Sequence, residues 1–129
     1  MFATDRPLID IAGEYLERCF AIETAPQVNE LARECGMPAY AFSKAFKREV
    51  GQRPAGYLKR ARLVRAKRLL LMTALPMNAI AYKSGFPTRA TFFQLFRRSE
   101  HISPNQFRIR ALTRLARVQP RPTRGGADR

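Results

Sequence analysis

One pattern occurs twice in this chain, about fifty residues apart, and that repeat limits the fold more than any other feature. Leu31-Ala32, Gly36, Phe42, Phe46-Lys47-Arg48, Pro54 and Tyr57 return as Ile80-Ala81, Gly85, Phe92, Phe96-Arg97-Arg98, Pro104 and Phe107. The offset is 49 residues from Gly36 to Gly85 and 50 from Phe42 to Phe92, so the second copy carries one extra residue after its turn. Each copy reads as a helix, a tight glycine turn and a second helix with a basic end. With 129 residues, the chain has room for one compact domain or two small lobes sharing a helix.

Helical periodicity recurs from about residue 7 to Arg117, and no segment sustains the alternation of a strand, so the predicted class is all-α. Leu8, Ile9, Ala12, Tyr15, Leu16 and Cys19 predict a first helix over roughly 7–21, with Pro7 in its first turn and Asp10 and Glu14 near its positive end. A second helix starts near Pro26–Val28, carries Val28, Leu31, Ala32 and Cys35 inward, and ends at Gly36, which takes the left-handed turn. A third covers about Ala39 to Val50, with Phe42 and Phe46 four apart on its inner face. From Pro54 to about Met72, apolar residues fall on more than one side, as a strut packed between two lobes requires. Pro76 opens the next helix, which buries Met77, Ile80 and Ala81 and ends at Gly85. Thr88 caps a helix to about Glu100, which buries Phe92 and Phe96. Ser103-Pro104-Asn105-Gln106 is a capping box opening a last helix with Phe107, Ile109, Leu112 and Leu115, which fades near Arg117. The predicted organisation is one bipartite domain over 1–117 (lobes at about 7–53 and 76–117, connecting helix at about 54–72) and a disordered basic tail over 118–129.

The net charge of +14 is unevenly placed. Residues 1–35 hold 7 of the 10 acidic residues against Arg6, Arg18 and Arg33, while 36–129 hold 21 basic residues against Glu49, Glu100 and Asp128. Such asymmetry implies a polyanionic partner: DNA, RNA or an anionic membrane surface. Single-stranded RNA readers present stacking aromatics on a surface, whereas these aromatics recur at core spacing. A membrane binder needs an amphipathic helix with exposed bulky apolar residues, and none stands out. No apolar run approaches the roughly 20 residues of a membrane span. Asp5, Asp10, Glu14 and Glu17 interrupt any apolar core of a signal peptide, so a cytoplasmic protein is expected.

Cys19 and Cys35 are too few for a zinc site and read as reduced, partly buried thiols, with redox sensing as the alternative. Lone His101 has no nucleophile pattern beside it, and no glycine-rich phosphate loop occurs. Neither catalysis, a metal nor a cofactor is expected.

Two stretches are the most specific: Arg62-Leu63-x-x-Ala66-x-x-Leu69-Leu70, and Ile80-Ala81-x-x-x-Gly85-Phe86 through Ser103-Pro104-x-x-Phe107-Arg108. With the paired units around them, they resemble the AraC/XylS DNA-binding domain over roughly residues 8–112. The resemblance implies seven helices in two helix-turn-helix lobes, with the third and sixth helices entering successive major grooves of double-stranded DNA. Grooves on one face recur about every 34–36 Å, and an approximately 18-residue strut spans about 27 Å, with lobe width supplying the rest. Three positions depart from the family pattern: Pro38 where a Ser or Thr cap is usual, Arg53 in place of Ser before Pro54, and His101 in place of Gly. The first two weaken helix caps by about 1 kcal/mol each, and His tolerates positive φ better than most residues.

Matching family positions makes Tyr40, Ser43 and Lys44 the base-facing candidates of the first unit, and Arg89, Ala90, Thr91, Phe93 and Gln94 those of the second. Arg89 suits guanine N7 and O6, Gln94 suits adenine N6 and N7, and Ala90 and the Thr91 methyl suit a thymine methyl. Phe93 reads either as a thymine contact or as the edge of an inter-helix seam. Lys47, Arg48, Thr88, Arg97 and Arg98 suit phosphates, which position without specifying. The implied function is a sequence-specific transcription regulator, an activator that binds DNA as a monomer and touches RNA polymerase. The alternative is a nonspecific nucleic-acid-binding structural protein driven by charge. Only a short stretch precedes the first repeat, so a ligand-sensing domain does not fit within this chain. Either the chain is free-standing or it is the C-terminal piece of a longer regulator.

Overall fold

The computed structural model describes residues 6–118, and all of its regular structure is helical. In order, the helices are α1 (Leu8–Ala21), α2 (Val28–Glu34), α3 (Ala39–Val50), α4 (Pro54–Met72), α5 (Met77–Lys83), α6 (Arg89–Glu100) and α7 (Pro104–Val118). The all-α class and the seven helices agree with the repeat. Apart from Val118, which closes α7, the expected tail lies outside the described residues.

Two apolar clusters form around the paired helices. The first joins Leu8, Ile11, Ala12, Tyr15, Leu16 and Cys19 of α1 to Leu31, Phe42, Phe46 and Leu58. The Phe46 ring lies tilted at 5.4 Å from Phe42 and edge-on at 5.3 Å from Tyr57. The second cluster holds Leu63, Ala66 and Leu70 of α4 with Met77, Ile80, Phe86, Phe92 and Phe96. There Phe92 lies 5.1 Å from Phe86, and Phe96 lies 5.7 Å from Phe92 and 5.4 Å from Phe107. Each fully buried ring contributes about 1.5–3 kcal/mol by area alone, so the aromatic sets anchor both lobes. The strut α4 serves both clusters, Leu58 on one side and Leu63, Ala66 and Leu70 on another. Val64, Leu71 and Met72, apolar residues of the same helix, are exposed.

Left-handed turns sit where the repeat needs them. Gly36 (φ 69°) and Gly85 (φ 80°) separate the paired helices, and Gly51 (φ 90°) and His101 (φ 68°) end α3 and α6. Capping differs between the copies. Thr88 accepts the Thr91 N–H at 3.0 Å, whereas Pro38 and Arg53 supply no side-chain cap. The Ser103 box closes in both directions: the Ser103 N–H donates to Gln106 Oε1 at 3.0 Å, and the Gln106 N–H to Ser103 Oγ at 3.1 Å.

Several helix ends are satisfied from a distance. Glu49 on α3 accepts the Leu8 N–H of α1 at 2.8 Å. Arg108 on α7 donates to the Leu70 and Thr73 carbonyls at 3.1 Å each, closing the C-terminal end of α4. The Tyr15 phenol donates to Glu30 at 2.6 Å and accepts the Gln27 N–H at 2.8 Å, and burial with the Glu30 bond pushes its pKa up. Arg62, half-buried, lays its guanidinium 5.1 Å over the Phe86 ring, and burial lowers its pKa. Cys19 and Cys35 are free and fully buried rather than partly so, and burial raises both thiol pKa values.

The last helix corrects the sequence reading. Phe107 packs against the second cluster, but Ile109, Leu112 and Leu115 are 63%, 49% and 55% exposed. An amphipathic helix with exposed bulky apolar residues therefore does stand out. The first turns of α7 lie against α4 and α6, and every residue from Leu112 to Arg117 is exposed. Periodicity reports an apolar face but not whether another element covers it.

Candidate nucleic-acid interface

The helices α3 and α6 each have 12 residues and share the same degree of exposure at every position, from Ala39 and Arg89 to Val50 and Glu100. Phe42 and Phe46 of one, and Phe92 and Phe96 of the other, turn wholly inward. The face opposite those rings is therefore presented twice. In α3 it carries Tyr40, Lys44, Lys47 and Arg48, all exposed, with Ser43 half-buried beside them. In α6 it carries Ala90, Gln94, Arg97 and Arg98, all exposed, with Thr91 and Phe93 half-buried at its edges, while Arg89, the counterpart of Ala39, is exposed at the first residue of the helix.

Arg89 is held in place before any ligand arrives. Its Nη1 donates to Asn78 Oδ1 of α5 at 3.2 Å, and its guanidinium lies 4.9 Å over the Phe93 ring. Phe93 in turn packs on the second cluster, edge-on to Phe92 at 5.5 Å. Its ring is thus a platform between core and surface, closer to the seam reading than to a free thymine contact. The hydroxyls of Thr88 and Thr91 are 2.9 Å apart and the Thr88 hydroxyl also caps α6, so both serve the helix start.

Among the described residues, the outward face of α3 has no such tether. Instead, Ser43, Lys44, Lys47 and Arg48 face Arg53 and Pro54 across an open groove of about 660 Å³. The exposed Arg53 adds a cation at the N-terminus of α4, whose first N–H groups favour anions. A second groove of about 310 Å³ lies between α4 and α6 and holds Lys59, Arg60 and Arg98. Sequence reasoning missed Arg53, Lys59, Arg60 and Asn78. Arg53 registered only as a lost cap and Lys59 has Ile109 as its counterpart, whereas Asn78 repeats Asn29 and Arg60 is repeated by Arg110, a signal that could have found both. Positive charge therefore extends from α3 across the start of α4 to α6. Among the described residues no group of three or more His, Cys, Asp or Glu could hold a metal ion, and no helix is long and apolar enough to cross a membrane.

Comparison with known proteins places this arrangement. A helix-turn-helix domain family model matches residues 31–110. The HTH-type transcriptional regulator Rv1931c of Mycobacterium tuberculosis is 38% identical over 84 residues, covering 65% of this chain and 32% of that protein. The HTH-type transcriptional activator RhaS of Escherichia coli is 32% identical over 94 residues, covering 73% of this chain and 33% of that protein. The chain thus aligns with about a third of each of these relatives. Among solved structures, the DNA-binding domain of the global transcriptional factor AdpA, in complex with a target DNA, superposes with a TM-score of 0.75 at 27% identity. The match covers 90% of this chain and 100% of that one.

Proposed function

Because the chain belongs to the AraC/XylS family, with that family's helix-turn-helix DNA-binding domain, we propose that α3 and α6 enter two successive major grooves on one face of a DNA duplex. The observation that carries this reading is the matched exposure of the two helices over their whole length, with basic residues on the same outward face of each. Tyr40, Ser43 and Lys44 read bases in one groove. Arg89, Ala90, Thr91, Gln94 and the rim of Phe93 read the other. Lys47, Arg48, Arg97 and Arg98 hold phosphates, joined by Arg53, Lys59 and Arg60, while Thr88 supports that surface as the cap of α6.

Arg89 is the strongest specificity residue of this set. Asn78 and Phe93 fix a guanidinium that would otherwise lose rotamer freedom on binding. Its free edge then meets a guanine bidentately. The chain works as a cytoplasmic transcription activator, binding DNA as a monomer and touching RNA polymerase. The likeness to an activator and to a DNA complex supports this reading.

Selection from a randomised duplex library at about 150 mM salt, a physiological ionic strength, tests the proposal. Two short enriched motifs about one helical turn apart are expected. One motif would limit base reading to a single lobe. No enrichment would favour a nonspecific, charge-driven binder.

A further inference from the structure

The two apolar clusters are separate and share only α4, and a second set of contacts also joins the two lobes. Three contacts outside the cores do this, all where the α1–α2 connection meets the end of α5. Arg65 of α4 donates from Nε to the Lys83 carbonyl at 2.9 Å, and its guanidinium lies 5.0 Å over the Phe20 ring of α1. One side chain thereby touches both lobes. Lys83 Nζ pairs with Glu23 Oε2 at 3.0 Å. The third contact is the turn at Gly85, where a Cβ would lie 3.0 Å from Pro26 Cδ, 3.4 Å from the Phe20 ring and 3.4 Å from the Thr24 carbonyl oxygen. Its repeat counterpart Gly36 has nothing within 4 Å of the same position. The turn of lobe two is thus seated on lobe one, while the turn of lobe one is open.

We propose that this seam of Phe20, Glu23, Arg65, Lys83 and Gly85 fixes the distance and rotation between α3 and α6, and so sets the half-site spacing that the chain accepts. The proposal rests on the two-groove reading above. One inserted base pair moves the second groove by about 3.4 Å and rotates it by about 35°. A single helix resists that displacement only through its lobe contacts, whereas the seam adds contacts well off the helix axis. Its members are positioning residues: none lies on the outward face of α3 or α6.

The test uses the whole chain and duplexes carrying both selected half-sites, with the spacer at its optimum or changed by one or two base pairs. The wild-type chain is expected to lose about tenfold in affinity for each base pair added or removed, which is 1.4 kcal/mol per step. In Arg65→Ala that penalty should fall to about threefold or less, while affinity for each isolated half-site stays unchanged. Glu23→Lys should relax the spacing by about twofold to threefold, the range of an exposed ion pair. The double exchange Glu23→Lys with Lys83→Glu should restore it. Thermal unfolding checks that each variant folds, and the charge-exchange series decides the matter if Arg65→Ala does not. Variants that keep the full penalty, or a double exchange as relaxed as the single, would overturn the role of the seam. A wild-type chain indifferent to spacer length would instead overturn the two-groove reading beneath it.

Discussion

Lobe one and lobe two present the same face by different local means. Phe42, Phe46 and Tyr57 match Phe92, Phe96 and Phe107 ring for ring. Their helix ends do not match. Thr88 caps α6 while Pro38 leaves α3 uncapped, and the reciprocal Ser103–Gln106 pair of α7 has Arg53 and Gly56 as its counterparts at α4. Two positions on, Leu58 fills the first core, and its counterpart Arg108 leaves the core to close the end of α4. Apolar spacing and left-handed turns therefore define the unit, and caps worth about 1 kcal/mol each are exchangeable. What lobe one lacks in caps it partly regains from α1, which packs on both α2 and α3, and from the Glu49 bond to Leu8.

Core truncation gives the largest expected effects and tests whether the lobes are equivalent. Phe46→Ala and Phe96→Ala should each cost about 3–5 kcal/mol in denaturant unfolding, since both rings are wholly buried. A loss confined to one of them would break the equivalence of the cores. At the proposed DNA-facing surface, Arg89→Ala should weaken binding by about 1–3 kcal/mol and relax preference at one base pair. Asn78→Ala should reproduce part of that loss. Equal losses of Arg89→Ala on all sequences would remove its base role.

Caps come next. Thr88→Ala should destabilise by about 1 kcal/mol, and Pro38→Thr should stabilise lobe one by a similar amount, because Pro38 already has the extended backbone of a cap. Equilibrium melts of both variants check the pair, and a neutral Pro38→Thr would mean that α1 packing has made the cap redundant. Smallest of all is Lys47→Ala, which should weaken binding evenly across sequences and lower the salt slope by about 1. An unchanged slope would take Lys47 off the phosphate set.

The helices, their paired phenylalanines and their positive-φ turns were legible because each is written in local spacing: Phe42 and Phe46 four apart, Gly36 after Cys35, Ser103 three before Gln106. His101 shows the limit of a residue rule, for it takes the left-handed turn that Gly51 takes in lobe one. Contacts between distant elements were not legible. Nothing in the run around Arg108 says that its guanidinium reaches Leu70 and Thr73, or that Glu49 serves Leu8. Arg65 reads as one more cation on a basic helix until Phe20 and Lys83 are beside it. The same holds for the outer face of α7, where Ile109, Leu112 and Leu115 keep core spacing without a core.

Hydroxyl-radical footprinting of the chain on its selected duplex tests the central claim most directly. Two protected patches about 10 base pairs apart, both on one face of the helix, are the predicted result. Each patch should shrink separately when basic residues of one lobe, Lys47 and Arg48 or Arg97 and Arg98, are replaced by alanine. A single patch, or protection spread evenly along the duplex, would contradict the account of two equivalent lobes reading one face of DNA.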